Sequence, residues 1–205
     1  MNESDVMKYN QIALGVHAPI YIHYADRILE NTDISTGKCL DAGCGGGYLG
    51  LALSEITDLE FVFLDKSPEM LRCASENIRA RGISDRACTI LGEVQKIPLE
   101  ETSIDLVISR GSVPFWDNLP EAFREIRRVL KPCGRAYLGG GLGPPELRDI
   151  LQEQARRINP GWRGGAHNIP QRDNSEYREA LQAAGIDRFT IIRSDEGMWI
   201  EFGKG

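Results

Sequence analysis

A glycine cluster beside two carboxylates is the part of this sequence that most directly indicates chemistry. The stretch CLDAGCGGGYLGLAL occupies residues 39–53, and a further aspartate, Asp65, ends the next apolar run. Glycines at a strand-to-helix turn let the backbone approach a ligand closely, and the helix N–H groups then face that ligand. A carboxylate at the end of the following strand is suited to accept hydrogen bonds from ribose hydroxyls. The pattern therefore predicts a nucleotide-type ligand.

The glycine spacing by itself leaves the identity of that ligand open. Gly45, Gly47 and Gly50 fit the G-x-G-x-x-G pattern of dinucleotide sites. Asp41, Gly43, Gly45 and Gly47 fit D-x-G-x-G-x-G equally well. No Gly-Lys-Ser/Thr follows, which excludes a Walker A phosphate loop. A glycine-rich turn that binds nothing is the structural alternative.

A second candidate region, SRGSVPFWD at 109–117, follows another apolar run. Open α/β folds bind ligands at the carboxyl ends of their strands, so this stretch is the first candidate for the substrate side. Arg110 can orient an anionic substrate or a cofactor carboxylate, Ser112 can contact the substrate, and Phe115 and Trp116 can form an apolar wall. The alternative is that Arg110 pairs with a structural acid and Trp116 belongs to the core.

A third candidate is the irregular segment 159–172, which contains Trp162, Arg163 and His167. Loops of this length without secondary structure are uncommon in compact domains unless they bind something. Trp162 and His167 are therefore predicted to contact the substrate. Polar residues in a solvent-exposed loop are the alternative explanation.

Neither the histidines nor the cysteines indicate a metal. His17, His23 and His167 lack metal-ligand spacing. The five cysteines are scattered, without a CxxC pair, and burial as free thiols is their ordinary role. We expect no metal site.

Composition narrows the class of partner. A length of 205 residues suits one domain. The net charge of −6 and the pI near 5.2 argue against binding to a phosphate backbone, so nucleic acid is not expected as a partner. No apolar run is long enough to span a bilayer, and the N-terminus does not read as a secretory signal. These observations predict a cytoplasmic protein.

Strand and helix patterns alternate along the chain, which favours an α/β fold with a buried parallel sheet. The predicted strands are 38–42, 61–65, 87–91, 104–109 and 135–139. The predicted helices are 47–56, 67–81 with Ser67 as N-cap, a segment from after Asn118 to near Lys131, 144–158, and about 174–184. The tail then predicts two strands joined by a tight turn, an antiparallel hairpin.

Five segments in order resemble the motifs of the class I S-adenosylmethionine-dependent methyltransferases, in particular the UbiE-like and methyltransferase-11-like group. The similarity covers roughly residues 37–140. The segments are LDAGCGGG (40–47), FLDKSPEML (63–71), LGEVQKIP (91–98), SIDLVIS (103–109) and RVLKPCGR (128–135). Each is weak alone, and their order is specific.

The resemblance implies a site that binds S-adenosyl-L-methionine and releases S-adenosyl-L-homocysteine. It implies that Asp41 orients the amino group of the methionine moiety and that Asp65 binds the ribose hydroxyls. It also implies N-terminal helices that cover the cofactor, so that Tyr21 can reach the site. The remaining implied contacts are Gly43, Gly45 and Gly47 along the methionine, Lys66 and Met70 beside the adenine, Glu93 and Val94 at the adenine edge, and Ser109, Arg110 and Gly111 at the methionine end. Glu93 stands where the family usually has aspartate.

The resulting expectation is one Rossmann-like methyltransferase domain, with a doubly wound, seven-stranded mixed sheet and a C-terminal antiparallel hairpin. Residues 1–36 form a helical cap, 37–140 the cofactor-binding core, and 141–205 the substrate-side helices, loop and hairpin. Methyl transfer from a sulfonium is an in-line displacement, for which alignment and exclusion of water supply most of the catalysis.

We expect a small-molecule acceptor, with Arg110 and Tyr21 as candidate catalytic residues. Two alternatives stay open at this point. One is an NAD(P)-dependent Rossmann oxidoreductase, and the other is a noncatalytic protein that binds S-adenosylmethionine.

Overall fold

The computed structural model describes residues 3–158, 161 and 172–204 of the chain. The described strands are β1 (Lys38–Ala42), β2 (Glu60–Asp65), β3 (Ala87–Leu91), β4 (Ile104–Arg110), β5 (Leu130–Gly141), β6 (Phe189–Ser194) and β7 (Gly197–Gly203). The described α-helices are α1 (Glu3–Leu14), α2 (Ala18–Thr32), α3 (Tyr48–Ser54), α4 (Pro68–Ala80), α5 (Leu119–Val129), α6 (Pro145–Ile158) and α7 (Asn174–Ala183). A single 3₁₀ turn covers Val113–Phe115.

The strands form one mixed sheet in the order β3-β2-β1-β4-β5-β7-β6. Strands β1 to β5 pair in parallel, whereas β7 pairs antiparallel with both β5 and β6. The strand order reverses between β1 and β4, and ligands of open α/β sheets bind in the crevice at such a reversal. The predicted seven-stranded mixed sheet with a terminal hairpin is confirmed.

Helices cover both faces of the sheet, as a doubly wound fold requires. On one face α1, α2, α3 and α6 bury a cluster that includes Tyr24, Tyr137 and Trp199. On the other face α5 and α7 bury a cluster that includes Phe123 and Trp116. Helices α1 and α2 lie within residues 1–36, and the division of the chain into a cap, a cofactor-binding core and a substrate-side region stays a prediction.

Several helix boundaries follow the chemistry that the sequence indicates. Ser67 caps α4, since its hydroxyl accepts from Met70 N and Pro68 occupies the first turn. Asp173 caps α7 in a reciprocal capping box with Glu176. Gly47, with φ of 83°, precedes α3. The left-handed backbone at Gly47 lets the chain turn sharply from β1 into α3.

The predicted start of the fifth strand at residue 135 is wrong, because β5 begins at Leu130 directly after α5. Leu130 pairs with Ile104, and the register then shifts before Arg135 pairs with Leu106. The segment Pro132–Gly134 is therefore an irregularity within the strand. For the same reason α5 ends before the predicted end near Lys131. Pairing with β4 satisfies backbone groups that a turn would leave exposed.

No helix among the described residues is long and apolar enough to cross a membrane.

Replacing Trp199 tests how strongly the hairpin is tied to the N-terminal helices. Trp199 is fully buried on β7, and its ring centroid lies 4.6 Å from that of Tyr24 and 5.0 Å from that of Tyr137. Trp199→Ala is expected to lower the free energy of unfolding by about 3–5 kcal/mol, because it removes a large core side chain and leaves a cavity. Urea denaturation measures the change.

Ile150→Ala is the matched control, because Ile150 is 56% exposed on α6. It is expected to change the free energy of unfolding by less than about 0.5 kcal/mol. Equal effects of the two substitutions would contradict the placement of Trp199 in the core.

Candidate functional site

The glycine loop at the end of β1 combines a tight backbone path with open space above it. Gly43, Gly45 and Gly47 have φ values of 72°, 55° and 83°, in the left-handed region that favours glycine. A Cβ on Gly43 would collide with Ser112, and one on Gly47 would crowd Phe63. A Cβ on Gly45 would meet nothing within 4 Å. Two of these glycines therefore permit internal packing, and Gly45 faces the space in which a ligand can lie.

Asp65 ties this loop to its neighbours. Its Oδ2 accepts a hydrogen bond from Gly45 N at 2.9 Å, and its Oδ1 accepts one from Ser67 N at 2.9 Å. The carboxylate thus joins the glycine loop to the start of α4. A carboxylate oxygen has a second acceptor site, so both oxygens keep the capacity to accept from ribose hydroxyls.

Asp41 lies beneath the loop and is only 1% exposed. Its Oδ2 accepts from Gly50 N at 3.1 Å, within the first turn of α3. Burial, opposed by the Gly50 hydrogen bond and aided by the charge of Asp65, raises the pKa of Asp41 to about 7. The carboxyl that the resemblance assigns to the methionine amino group therefore also supports α3.

A cavity of about 90 Å³ brings together three regions that the sequence singles out separately. These are the glycine loop, the ends of β2 and β3, and the stretch 109–117. The lining residues are Gly43, Asp65, Lys66, Gly92, Glu93, Val94, Gln95, Ser112, Phe115, Trp116 and Asp117. Gly92, Gln95 and Asp117 were not predicted as site residues, although each adjoins a residue that was. A more open groove between α4 and β3, on the outer edge of the sheet, contains none of the predicted site residues.

The predicted adenine contacts are distributed unevenly around this cavity. Lys66 and Glu93 are exposed and Val94 is buried, and all three line it. Met70 is half-buried in the first turn of α4 and is not among the lining residues. Its N–H donates to the Ser67 hydroxyl at 3.2 Å.

Ser112 is the centre of a hydrogen-bond network at the end of β4. Its hydroxyl donates to Ala42 O at 3.0 Å, accepts from Trp116 Nε1 at 3.1 Å, and lies 2.7 Å from Ser109 Oγ. Trp116 is 5% exposed and packs in the core, as the structural alternative states, while part of it lines the cavity. Phe115 is 49% exposed at the same place. Of the two residues of the predicted apolar wall, Phe115 is therefore the more exposed.

The structure brings the two candidate catalytic residues together on the α2 side of the sheet. The Cζ of Arg110 lies 4.6 Å from the ring centroid of Tyr21 and 5.5 Å from that of Tyr24. Its Nη2 donates to Gly141 O at 2.5 Å. Arg110 forms no ion pair with any described residue. The alternative that it pairs with a structural acid therefore finds no support in the described part of the chain. Gly111, which follows it, is exposed.

The titratable groups around Arg110 are uncharged at neutral pH. Burial raises the pKa of Tyr21, so its phenol stays protonated. Burial, and then the positive charge of Arg110, lower the pKa of His17 to about 4, so its imidazole is neutral. Sequence reasoning considered His17 only as a metal ligand, because its proximity to Arg110 is a tertiary relation. Tyr21 also lies 5.4 Å, between ring centroids, from Tyr48.

Trp162 and His167 lie outside the described residues, so their predicted contacts with the substrate stay predictions. Among the residues that are described, no group of three or more His, Cys, Asp or Glu side chains is arranged to hold a metal ion.

Comparisons with known proteins identify relatives of this architecture. A family model described as a methyltransferase domain matches residues 40–138. A solved structure from Methanococcus maripaludis, assigned as an S-adenosyl-L-methionine-dependent methyltransferase, is 37% identical with a TM-score of 0.88. The alignment covers 99% of this chain and 93% of that one.

Two curated relatives carry different functional names. A malonyl-[acyl-carrier protein] O-methyltransferase from Methylovorus sp. is 34% identical over 132 residues, which are 61% of this chain and 44% of the relative. The human mitochondrial arginine-hydroxylase NDUFAF5 is 30% identical over 155 residues, which are 74% of this chain and 42% of the relative. The chain thus spans less than half the length of these two proteins.

The buried carboxyl of Asp41 predicts a pH-dependent contribution to stability. Its pKa rises from 3.8 to about 7 on folding, so between these values the folded chain holds a proton that the unfolded chain releases. This residue's contribution to the free energy of unfolding therefore falls as the pH rises from about 4 to about 7. Asp41→Asn is expected to gain about 1–3 kcal/mol relative to the unsubstituted protein between pH 5 and pH 8.

Urea denaturation at the two pH values measures this difference. Asp58→Asn is the control, because it makes the same change at an exposed position. A parallel pH dependence in Asp41→Asn and the unsubstituted protein would contradict the assignment.

Proposed function

Because this chain belongs to the class I S-adenosyl-L-methionine-dependent methyltransferases, we propose that it transfers the methyl group of that cofactor directly to a small-molecule acceptor. The similarity to known methyltransferases confirms the family, the enzyme class and the cofactor that the sequence predicts. The observation that carries the proposal is the cavity that joins the glycine loop, Asp65 and the stretch 109–117 at the strand-order reversal.

The residues around the cavity fit such a cofactor. The space above Gly45 admits a ligand against the backbone, and Asp65 retains acceptor capacity for ribose hydroxyls. Glu93 and Val94 lie on the same cavity wall, where an adenine edge would meet an acidic side chain and a backbone N–H. In this proposal Gly43 and Gly47 shape the loop, and Lys66 and Met70 flank the adenine.

The methionine end would lie toward β4. A Cβ on Gly111 would meet nothing within 4 Å, so the backbone there is open to a ligand. Ser109 is fully buried beside Ser112, which gives it a supporting role at this end. Asp41 holds the first turn of α3 from below and is proposed to orient the amino group.

The protein's part in the reaction is to align the acceptor and exclude water. When bound, the cofactor supplies a methyl carbon on a sulfonium, so an acceptor lone pair forms the new bond as the C–S bond breaks and its electron pair stays on sulfur. Phe115 and Trp116 form an apolar wall that limits access of water. Tyr21, protonated and in contact with Arg110, is proposed to donate a hydrogen bond to the acceptor.

The acceptor is proposed to be a small molecule. A net charge of −6 disfavours a phosphate backbone as the acceptor. The names of the relatives range from a malonyl-[acyl-carrier protein] O-methyltransferase to an arginine-hydroxylase. A carrier-linked acyl group is therefore the second acceptor class to test.

One relative supports an alternative to methyl transfer. It is 30% identical to this chain and is named a hydroxylase, so a related protein carries the name of a different reaction. This chain could accordingly bind S-adenosylmethionine without transferring its methyl group, which is the alternative to test. Family membership favours S-adenosylmethionine over NAD(P), the other ligand that the glycine spacing allows.

Calorimetric titration with S-adenosylmethionine, S-adenosylhomocysteine and NAD tests the cofactor assignment, and transfer of a radiolabelled methyl group to candidate acceptors tests the activity. We expect saturable binding of the first two ligands and transfer to at least one small acceptor. Binding of NAD alone would overturn the proposal. Binding without transfer to any acceptor would favour the noncatalytic alternative.

Asp65→Ala tests the proposed ribose contact. It is expected to weaken S-adenosylhomocysteine binding by about 1–3 kcal/mol, because it removes a charged acceptor and releases Gly45 N–H. Calorimetry measures the affinity, and Asp58→Ala, at an exposed position, is the control. Unchanged affinity in Asp65→Ala would remove Asp65 from the cofactor site.

A further inference from the structure

We propose that the methyl acceptor carries a carboxylate and that Arg110 binds it. The proposal rests on the proposed methyl transfer and adds the chemical class of the acceptor. It starts from the unusual environment of the Arg110 guanidinium, which is held between aromatic rings and has no acidic partner among the described residues.

Two other half-buried arginines, Arg27 and Arg128, are paired with acids, whereas half-buried Arg86 donates to three backbone carbonyls. Arg27 Nη1 lies 3.1 Å from Glu196 Oε2, and Arg128 Nε lies 2.7 Å from Glu125 Oε1. Glu196 lies beside Tyr24, whose hydroxyl donates to the Glu196 backbone carbonyl. The Glu196 carboxylate already contacts both Arg27 and His23. A partly buried cation without a counter-ion is unfavourable unless a ligand compensates it.

The long loop, most of which lies outside the described residues, contains no acidic side chain. The segment 159–171 has the sequence NPGWRGGAHNIPQ and contains neither Asp nor Glu. The groups nearest Arg110 are also uncharged at neutral pH, since burial raises the pKa of Tyr21 and lowers that of His17. The positive charge of Arg110 therefore remains available to an anion.

Arg110 also keeps hydrogen-bond donors for a ligand. A guanidinium has five N–H donors. One from Nη2 goes to Gly141 O, and Nε is fully buried with no partner. The rings of Tyr21 and Tyr24 hold the guanidinium in place. A planar, oriented fork of this kind matches a carboxylate, which accepts two parallel N–H bonds.

The position of Arg110 assigns the carboxylate to the acceptor. The proposed adenine and ribose contacts follow β2 and β3, the methionine end is proposed to lie near Ser109 and Gly111, and Arg110 does not line the cavity that contains these loops. Its bond to Gly141 turns it toward β5 and α2, on the other side of the strand-order reversal. Because the guanidinium is turned away from the cavity proposed for the cofactor, we assign the carboxylate to the acceptor.

The binding test uses protein saturated with S-adenosylhomocysteine and two probes of the same shape, benzoate and benzamide. Calorimetry is expected to show benzoate binding at least about tenfold tighter, because a charged hydrogen-bond pair is lost with the amide. Arg110→Gln is expected to abolish this preference and to change S-adenosylhomocysteine affinity by less than about twofold. Equal binding of both probes, or no binding of benzoate, would overturn the proposal.

Arg27→Gln is the matched control, because it removes an arginine of the neighbouring helix that already has an acidic partner. It is expected to keep the preference for benzoate. If Arg110→Gln does not fold, Arg110→Lys retains the charge, and the comparison of probes on the unsubstituted protein still decides the outcome.

A transfer assay separates this proposal from the proposed function. Carboxylic acids and their primary amides are offered in pairs as acceptors with radiolabelled S-adenosylmethionine. Acids are expected to be preferred at least about tenfold in kcat/KM, and Arg110→Gln to remove the preference. Methylation of amides as efficiently as acids would overturn the carboxylate proposal while methyl transfer stands. If Arg110→Gln loses S-adenosylhomocysteine affinity instead, the guanidinium binds the cofactor carboxylate and the proposal is wrong.

Discussion

The hydrogen bonds of the Asp65 carboxylate are the constraint on which the proposed site depends. One side chain at the end of β2 holds Gly45 N of the glycine loop and Ser67 N at the start of α4. The loop that follows β1 and the helix that follows β2 therefore keep a fixed relation. Because Gly45 needs a left-handed backbone and faces open space, the loop can lie against a ligand only while Asp65 keeps it in place.

The Ser112 network plays the corresponding role on the other side of the strand-order reversal. Ser112 connects the carbonyl of Ala42, at the end of β1, to the indole of Trp116. The stretch that follows β4 is thereby held against the glycine loop, and a Cβ on Gly43 would collide with Ser112. Asp41 and Asp65 lie at the ends of β1 and β2, and Arg110 lies at the end of β4.

Much of this arrangement could be predicted from local sequence. Apolar runs located the core strands, Ser67 and Gly82 marked the limits of a helix, and the tail pattern predicted the hairpin. The start of β5 could not be predicted, because Pro-Cys-Gly is an ordinary turn signal. Only the tertiary structure pairs Leu130 with Ile104 on β4 and bonds Cys133 and Gly134 to Lys204. The bond of Ser112 to Ala42 O could not be predicted either, because the two residues are distant in sequence. The core position of Trp116 was one of two alternatives that the sequence left open.

The sequence by itself determined the fold class, the family and the positions of the glycine loop and Asp65, because these depend on spacing within one strand-turn-helix unit and its successor. Only the tertiary structure decided which side chains are free to bind a ligand. It gave both Asp65 oxygens backbone partners, used Ser112 internally, and placed Arg110 between Tyr21 and Tyr24 without an acid. Burial, charge pairing and hydrogen-bond satisfaction are properties of neighbours in space, and spacing along the chain does not specify them.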